Sequence, residues 1–386
     1  MRKVKLKDVI DKPLSGVWGE DDTTGDGILV LRTTNFTNEG VIFYNNVVTR
    51  IIRDKNLQNK YLRYGDILIE KSGGSDKQPV GRVVYFEGED NKYLFNNFTS
   101  ILRVRDPDDC NQKYLFYFLY SNYLFGGTRK YENKTTGIHN LKLDRYVDEL
   151  EIILPSLEEQ KTIADKLDKV TVLINKRKEQ LAKLDQLVKS RFIELFGDPK
   201  TNNKKWRMNT FEDICTVRQG LQIPISKRLT QYEEGCYEYI TVAYLHGSKE
   251  REYIKNPKST VICTEEDVLM TRTGNTGMVI TNVAGAFHNN FFLIDFDRTR
   301  YNKVFLVEYL NLDLIQAEIK RRAGTSTIPD LNHGEFYAIS IYEPPVELQN
   351  QFAAFVEQVD KSKLVIQQSL GQLETLKKSL MQKYFG

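Results

Sequence analysis

The sequence predicts an α+β chain built twice: two mixed α/β domains, each leading into a long helix, with the two helices pairing as a coiled coil. Three observations carry this. First, the phrase SRFIELFG (Ser190 to Gly197) returns at the end of the chain as SLMQKYFG (Ser379 to Gly386). At the same offset of 189, Pro155, Glu158, Gln160, Ala164, Val170, Leu184 and Leu187 fall without a gap on Pro344, Glu347, Gln349, Ala353, Val359, Leu373 and Leu376. Second, the offset drifts upstream while the order holds. Ile138-x-x-Leu141 matches Ile328-x-x-Leu331 at 190, Asn96-Asn97-Phe98 matches Asn289-Asn290-Phe291 at 193, Asp66 matches Asp267 at 201, and Asp8 matches Asp213 at 205. Third, the ungapped stretches carry apolar residues in steps of three and four.

These patterns divide the chain into a domain over 1–154, a helix over 155–197, a linker over 198–205, a second domain over 206–343 and a second helix over 344–386. In the first domain, ILVLRTTNF, DILIEKSG, GRVVYF and FTSILRVR read as strands, and KYLFYFLYSNYLF as a helix. In the second, YEYITVAYL, DVLMTRTG, GMVITNV and FFLIDFD read as strands, and KVFLVEYLNLDLIQAEIKRR as one helix. Each domain closes with a strand that runs into its long helix, DELEIILP and EFYAISIYEPP.

The first long helix opens at Pro155 with Glu158 and Glu159 in its first turn, where negative charge suits the N-terminus. Its seam is Ile163, Leu167, Val170, Ile174, Leu181, Leu184 and Val188, with Arg177 and Arg191 filling two slots. Gly197 and Pro199 stop it. The second seam is Phe352, Val356, Val359, Ile366, Leu370, Leu373 and Leu380, with Lys363 and Lys377 in two slots. At 1.5 Å per residue each helix is roughly 60 Å long. A stripe this narrow on a helix this long needs a partner helix, and the other copy supplies one.

Polar loops recur at matching places. EKSGGSDKQPVGR (Glu70 to Arg82) answers to TRTGNTG (Thr271 to Gly277), and GGTRKYENKTTGIHN (Gly126 to Asn140) to KRRAGTSTIPDLNHG (Lys320 to Gly334). Basic, glycine, hydroxyl and amide residues in such loops suit phosphate and base-edge contacts; as isolated segments they would equally suit surface turns. The candidate DNA-binding residues are Arg32, Lys71, Ser72, Lys77, Arg82, Arg129, Lys130, Lys134, Thr136 and His139 in the first half. In the second they are Arg218, Arg272, Thr273, Asn275, Arg321, Arg322 and Thr325.

Net charge is only +3, so any basic surface is local. The N-terminus has no apolar run and no stretch of 18 apolar residues occurs, which predicts neither a signal peptide nor a membrane span. Cys110, Cys215, Cys236 and Cys263 are scattered, which points to a reducing, cytoplasmic compartment and to neither disulfides nor zinc. No phosphate loop, dinucleotide fingerprint or amino-methyltransferase motif is present, and EPPVE at 343–347 lacks the amide and aromatic of the last. His139, His246, His288 and His333 have no metal-ligand spacing. Asp108 before Glu132-Asn-Lys134, and Glu318-Ile-Lys320, only loosely suggest a nuclease.

The helix entry LPSLEEQKTIADKLDKV, its looser copy at Pro344, Pro345, Val346, Glu347 and Gln349, and the paired FG endings resemble the specificity subunit of type I restriction–modification enzymes. The resemblance covers essentially the whole chain and departs at Leu348, where the first copy has Glu159. It implies two target-recognition domains, each reading one half of a bipartite, asymmetric site in double-stranded DNA. It also implies two long helices paired antiparallel with pseudo-two-fold symmetry, which set the spacer and dock two modification subunits. Those partners would carry S-adenosylmethionine and methylate adenine at N6, and a restriction subunit would add ATP and Mg chemistry. The chain itself would be non-catalytic and bind no cofactor. A duplicated stand-alone nuclease would instead cut DNA with magnesium alone, and a coiled-coil protein scaffold would not retard DNA.

Overall fold

The computed structural model describes every residue except Met1, 55–56, 136–137, 246, 248–249 and 326–328, and leaves the side chains of Lys134 and Thr135 undescribed. It divides into two compact units, 1–178 with 368–386, and 179–367. The boundary cuts both long helices, so each unit holds one domain together with the start of one helix and the end of the other.

In the first unit β1 (Arg2–Lys5) runs antiparallel to β8 (Glu151–Leu154), with Arg2 opposite Leu154. Between them lie β2 (Leu14–Ser15), β3 (Ile28–Leu31), β4 (Ile67–Glu70), β5 (Val83–Tyr85), β6 (Tyr93–Phe95), β7 (Thr99–Leu102) and helix α1 (Gln112–Leu124). One sheet has the order β2-β7-β4-β5; in another, β3 lies parallel to β6. Asn111 caps α1 by accepting from the Tyr114 N–H. After β8 comes the start of α2 (Leu157–Phe196).

The second unit repeats this plan. Here β9 (Arg207–Thr210) is followed by β10 (Cys215–Gln219), β11 (Cys236–Ile240), β12 (Val268–Thr271), β13 (Val279–Ile280), β14 (Gly285–Phe287) and β15 (Phe291–Phe296). The order β10-β15-β12-β13 reproduces the first sheet, and β11 is parallel to β14. Helices α3 (Lys303–Leu310) and α4 (Asp313–Ala323), strand β16 (Ser340–Glu343) and α5 (Val346–Phe385) follow. β16 pairs with β9, Arg207 opposite Glu343. Relative to the Arg2 and Leu154 pair, these partners are displaced by 205 and 189, the two offsets read from the sequence.

Several expectations are corrected. In ILVLRTTNF only Ile28–Leu31 is a strand, and in EFYAISIYEPP only Ser340–Glu343, after a helical turn over His333–Tyr337. The segment from Lys303 to Arg322 is two helices, because the chain turns extended at Leu312 and Asp313 opens a new first turn. YEYITVAYL is a strand only to Ile240; Val242–Leu245 is a helical turn. The Asn-Asn-Phe match is off by one. Thr99 lies opposite Glu70 and Phe291 opposite Thr271. Glu70 and Thr271 are 201 apart, so Thr99 and Phe291, 192 apart, are equivalent. Phe98 therefore occupies the place of Asn290, not of Phe291.

The two glutamines singled out by the repeat do the same work in each unit. Gln160 and Gln349 are both buried. The Gln160 Oε1 accepts from the Asn111 N–H (2.8 Å), and its Nε2 donates to the carbonyls of Asp109 (3.1 Å) and Pro155 (3.0 Å). Gln349 Oε1 accepts from the Asn302 N–H (2.8 Å), and its Nε2 donates to the carbonyls of Arg300 (3.0 Å) and Pro344 (2.8 Å). One carboxamide thus ties the first turn of each long helix to the entry of its domain helix.

In the first unit the 368–386 segment packs on the start of α2: Met381 shares a core with Ala164 and Leu167, and Phe385 sits against Tyr114 and Phe118. In the second unit the end of α2 packs on the start of α5, with Phe192 and Phe196 against Phe305 and Phe352. Start meets end in both, the antiparallel arrangement. Leu167, Val170, Ile174, Val188, Phe352, Val356 and Val359 are buried. Ile163, Leu181, Leu184, Ile366, Leu370, Leu373 and Leu380 are half-buried. Lys363 pairs with Asp185 (2.7 Å), and Lys377 lies over the Tyr120 ring, where burial lowers its pKa. Among the described residues no helix is long and apolar enough to cross a membrane.

Candidate nucleic-acid interface

In both units the interface candidates gather where the central strand of the first sheet runs out into a polar loop. β4 ends at Glu70, and the next residue, Lys71, donates its N–H to the Phe98 carbonyl (2.7 Å) and accepts from the Leu141 N–H (2.8 Å). β12 ends at Thr271, and Arg272 donates to the Asn290 carbonyl (2.7 Å) and accepts from the Leu331 N–H (2.9 Å). The two polar loops of each half are thus stitched together through one basic residue. A glycine makes the approach possible. A Cβ on Gly16 or Gly220 would lie 2.2 to 2.3 Å from the backbone carbonyls of Phe95 and Asn96, or of Phe287 and His288.

The side chains on this shared frame differ. Lys71 Nζ donates to the Ser15 hydroxyl (2.8 Å), and burial lowers the pKa of that ammonium. Arg272 forks onto Asp330 through Nε (3.0 Å) and Nη2 (2.7 Å), with its side chain 18% exposed. Thr271 donates to the Asn275 carbonyl and accepts from the Met278 N–H (2.9 Å), which closes the second loop tightly. Thr273 donates to Asn290 Oδ1 (3.0 Å).

Several candidates face inward. Arg82 is 13% exposed and donates to the Phe36 and Thr33 carbonyls (3.0 Å each) and to Glu70 (3.3 Å). His139 is buried, with Nδ1 2.9 Å from Glu132. Arg322 bonds Glu318 (2.7 Å) and Glu335 (3.1 Å). Arg32 reaches the Asn46 carbonyl and Arg218 the Thr260 carbonyl, and in both the Nε is buried with no hydrogen-bond partner. In the structure these side chains brace the loops from within. Sequence alone could not separate the two roles, because Asp330 lies 58 residues from Arg272.

Others face outward. Lys77, Arg129 and Lys130 are exposed, Ser72 is half-buried in a short strand opposite Asn140, and Arg129 donates to the Asp76 carbonyl (3.4 Å). Arg321 is exposed and held by Glu318, and Asn275 and Thr325 are exposed. Thr136, Gly137, His246, Thr327, Ile328 and the Lys134 side chain lie outside the described residues. Reasoning from sequence missed Ser15; its signal was the glycine that follows a short strand in each half, Gly16 and Gly220.

Two acidic residues of the nuclease-like patterns, Glu132 and Glu318, have structural partners. Glu132 accepts from the Val80 N–H (3.1 Å) besides holding His139, and Glu318 clamps two arginines. Among the described residues no three His, Cys, Asp or Glu side chains are placed to hold a metal ion. The arrangement offers cations, amides and hydroxyls on a rigid backbone frame, and such groups bind phosphates and base edges.

The comparisons agree with this reading. The family described as Type I restriction modification DNA specificity domain matches residues 1–184 and again 203–375. A Methanocaldococcus jannaschii protein named as the type I restriction enzyme MjaX specificity subunit is 23% identical over 399 aligned residues, spanning 98% of this chain and 91% of that one. The MjaVIII specificity subunit of the same organism is 25% identical over 153 residues, 39% of this chain and 36% of that one. In fold, the chain is similar to the crystal structure of the type I restriction–modification system S subunit from M. genitalium, with a TM-score of 0.60 at 16% identity, covering 100% and 96% of the two chains. It is also similar to a chain from a study of complex assembly and conformational transition of the type I R-M system, with a TM-score of 0.55 at 16% identity, covering 100% and 97%. With the family matched over both halves and the site built twice on one frame, the chain belongs to the type I restriction–modification DNA specificity family: it is a specificity subunit, the DNA-recognising part of such a system.

Proposed function

We propose that each unit reads one half of a bipartite, asymmetric site in double-stranded DNA. The long helices set the unspecified spacer and dock two adenine-N6 methyltransferase subunits. The chain is non-catalytic and binds no cofactor. S-adenosylmethionine, and ATP and Mg where a restriction subunit joins, belong to the partners. The assembly works in the cytoplasm, in keeping with four buried, unpaired cysteines. The observation that carries this reading is one backbone frame used twice with different side chains: Lys71 with Ser15 in one unit, Arg272 with Asp330 in the other. Equal frames imply equal tasks, and unequal side chains imply unequal sequences. Helices of 40 residues, roughly 60 Å long, suit half-sites about one helical turn or a multiple apart.

The test replaces 206–340 with the corresponding segment of a homologue and maps methylated adenines in cells that also carry the methyltransferase. One half-site changes and the other stays. Simultaneous change of both half-sites refutes independent reading.

A further inference from the structure

The one-residue correction to the Asn-Asn-Phe repeat exposes a position that the polar loops do not include. Phe98 and Asn290 are equivalent. Each sits one residue before a buried strand, β7 or β15, after a tight turn closed by a bond to the residue two positions earlier: Thr99 N–H to the Asn96 carbonyl (3.1 Å), and Phe291 N–H to the His288 carbonyl (2.9 Å). In both units its carbonyl is clamped, at 2.7 Å, by the backbone N–H of the basic residue that opens the polar loop. The backbone is therefore fixed from two sides, and only the side chain varies.

That side chain is oddly chosen in each case. Phe98 is 51% exposed although strand residues on either side of its turn are buried. Asn290 lines a cavity of about 360 Å³ with Arg228, Tyr239, Thr241 and His288. Its backbone N–H donates to His288 Nδ1 (3.1 Å), and its Oδ1 accepts from the Thr273 hydroxyl (3.0 Å), which orients the carboxamide with its NH₂ as the outstanding donor. An exposed ring on a rigid turn adds nothing to a core. Glu250 and Glu252 also line this cavity, and Arg228 is already paired with Glu252 (2.9 Å), so a clamped amide here is a poor phosphate site but a good partner for a base acceptor.

We infer that this position determines specificity in both units. Asn290 donates from its carboxamide to an acceptor on a base edge of one half-site, and Phe98 packs its ring on the apolar surface of a base, a thymine methyl or an unstacked step, in the other. The inference rests on the recognition reading above and adds the residue through which each unit discriminates.

The experiment expresses full-length Asn290→Ala and Phe98→Ala chains with the methyltransferase subunit, confirms assembly by mass in solution, and maps methylated adenines. Asn290→Ala should relax preference at one base of one half-site by about tenfold or more and leave the other half-site intact. Phe98→Ala should do the same at one base of the opposite half-site. Should Phe98→Ala fail to assemble, Phe98→Leu keeps an apolar side chain and should likewise alter one base only. Unchanged half-sites in the assembled variants, relaxation of both half-sites together, or a uniform loss of methylation at every site would overturn the inference. A wild-type complex without a bipartite methylation pattern would instead sink the recognition reading itself.

Discussion

Replacing Gln349 by alanine should destabilise the second unit by about 2 to 4 kcal/mol. The carboxamide is buried and makes three hydrogen bonds of 2.8 to 3.0 Å. Each contributes roughly 1 kcal/mol net, and truncation also leaves the Asn302 N–H at the start of α3 without its partner, which adds a desolvation cost of about 1 kcal/mol or more. Glutamate is the informative second change. It keeps the shape but replaces the donating NH₂ by an acceptor facing two carbonyls, so Gln349→Glu should cost at least as much as alanine. Gln160→Ala should have the same effect on the first unit. The chain has two tryptophans, Trp18 and Trp206, one in each unit, so urea unfolding followed by fluorescence in single-tryptophan backgrounds reads the units separately. The two glutamines share no partner, and the double variant should lose the sum within about 0.5 kcal/mol. A shift below about 0.5 kcal/mol for Gln349→Ala would refute the argument that this side chain is the tie between helix and domain.

Residues 1–197 alone should dimerise and, with the methyltransferase, methylate a palindromic site: Phe196 matches Phe385 at the offset of 189 and can take its seat against Tyr114 and Phe118 of a second copy, in an isologous contact. A monomer by mass, or an asymmetric methylation pattern, contradicts this. Glu343 is held at about 2 by its hydrogen bond from Arg300, with Asn209 assisting. Its folded value is depressed, so the stabilisation is fully present above its unfolded value near 4.5 and is lost as pH falls through that window toward 2. Glu343→Gln should flatten the acid-unfolding curve between those limits, and an unchanged curve would assign the acid sensitivity elsewhere.

The parts of the molecule that the sequence displayed are those held by local or strictly periodic rules. Both long helices were legible because a heptad stripe without Gly or Pro has one reading, and their 189-residue offset pointed to Gln160 and Gln349 before any contact was known. What the sequence hid was non-local. The pairing of Arg2–Lys5 with Glu151–Leu154 needs a strand at each end of the first domain. The break at Leu312 turns on local chemistry that the wider helical pattern masked, an asparagine closing one helix and an aspartate opening the next.

The arginines were hardest, because a guanidinium that braces a loop and one that grips a phosphate look alike until their carboxylates are placed. Glu70 beside Arg82 and Asp330 beside Arg272 are brought into view only in space. Duplication offers a way past that limit. Where two units share a backbone hydrogen bond, as at Phe98 and Asn290, the fold has already accounted for the backbone. A difference between the side chains there is not set by that backbone bond, and on the recognition reading proposed above it follows the two half-sites. Positions that match in backbone and differ in side chain are therefore better candidates for specificity than positions rich in positive charge.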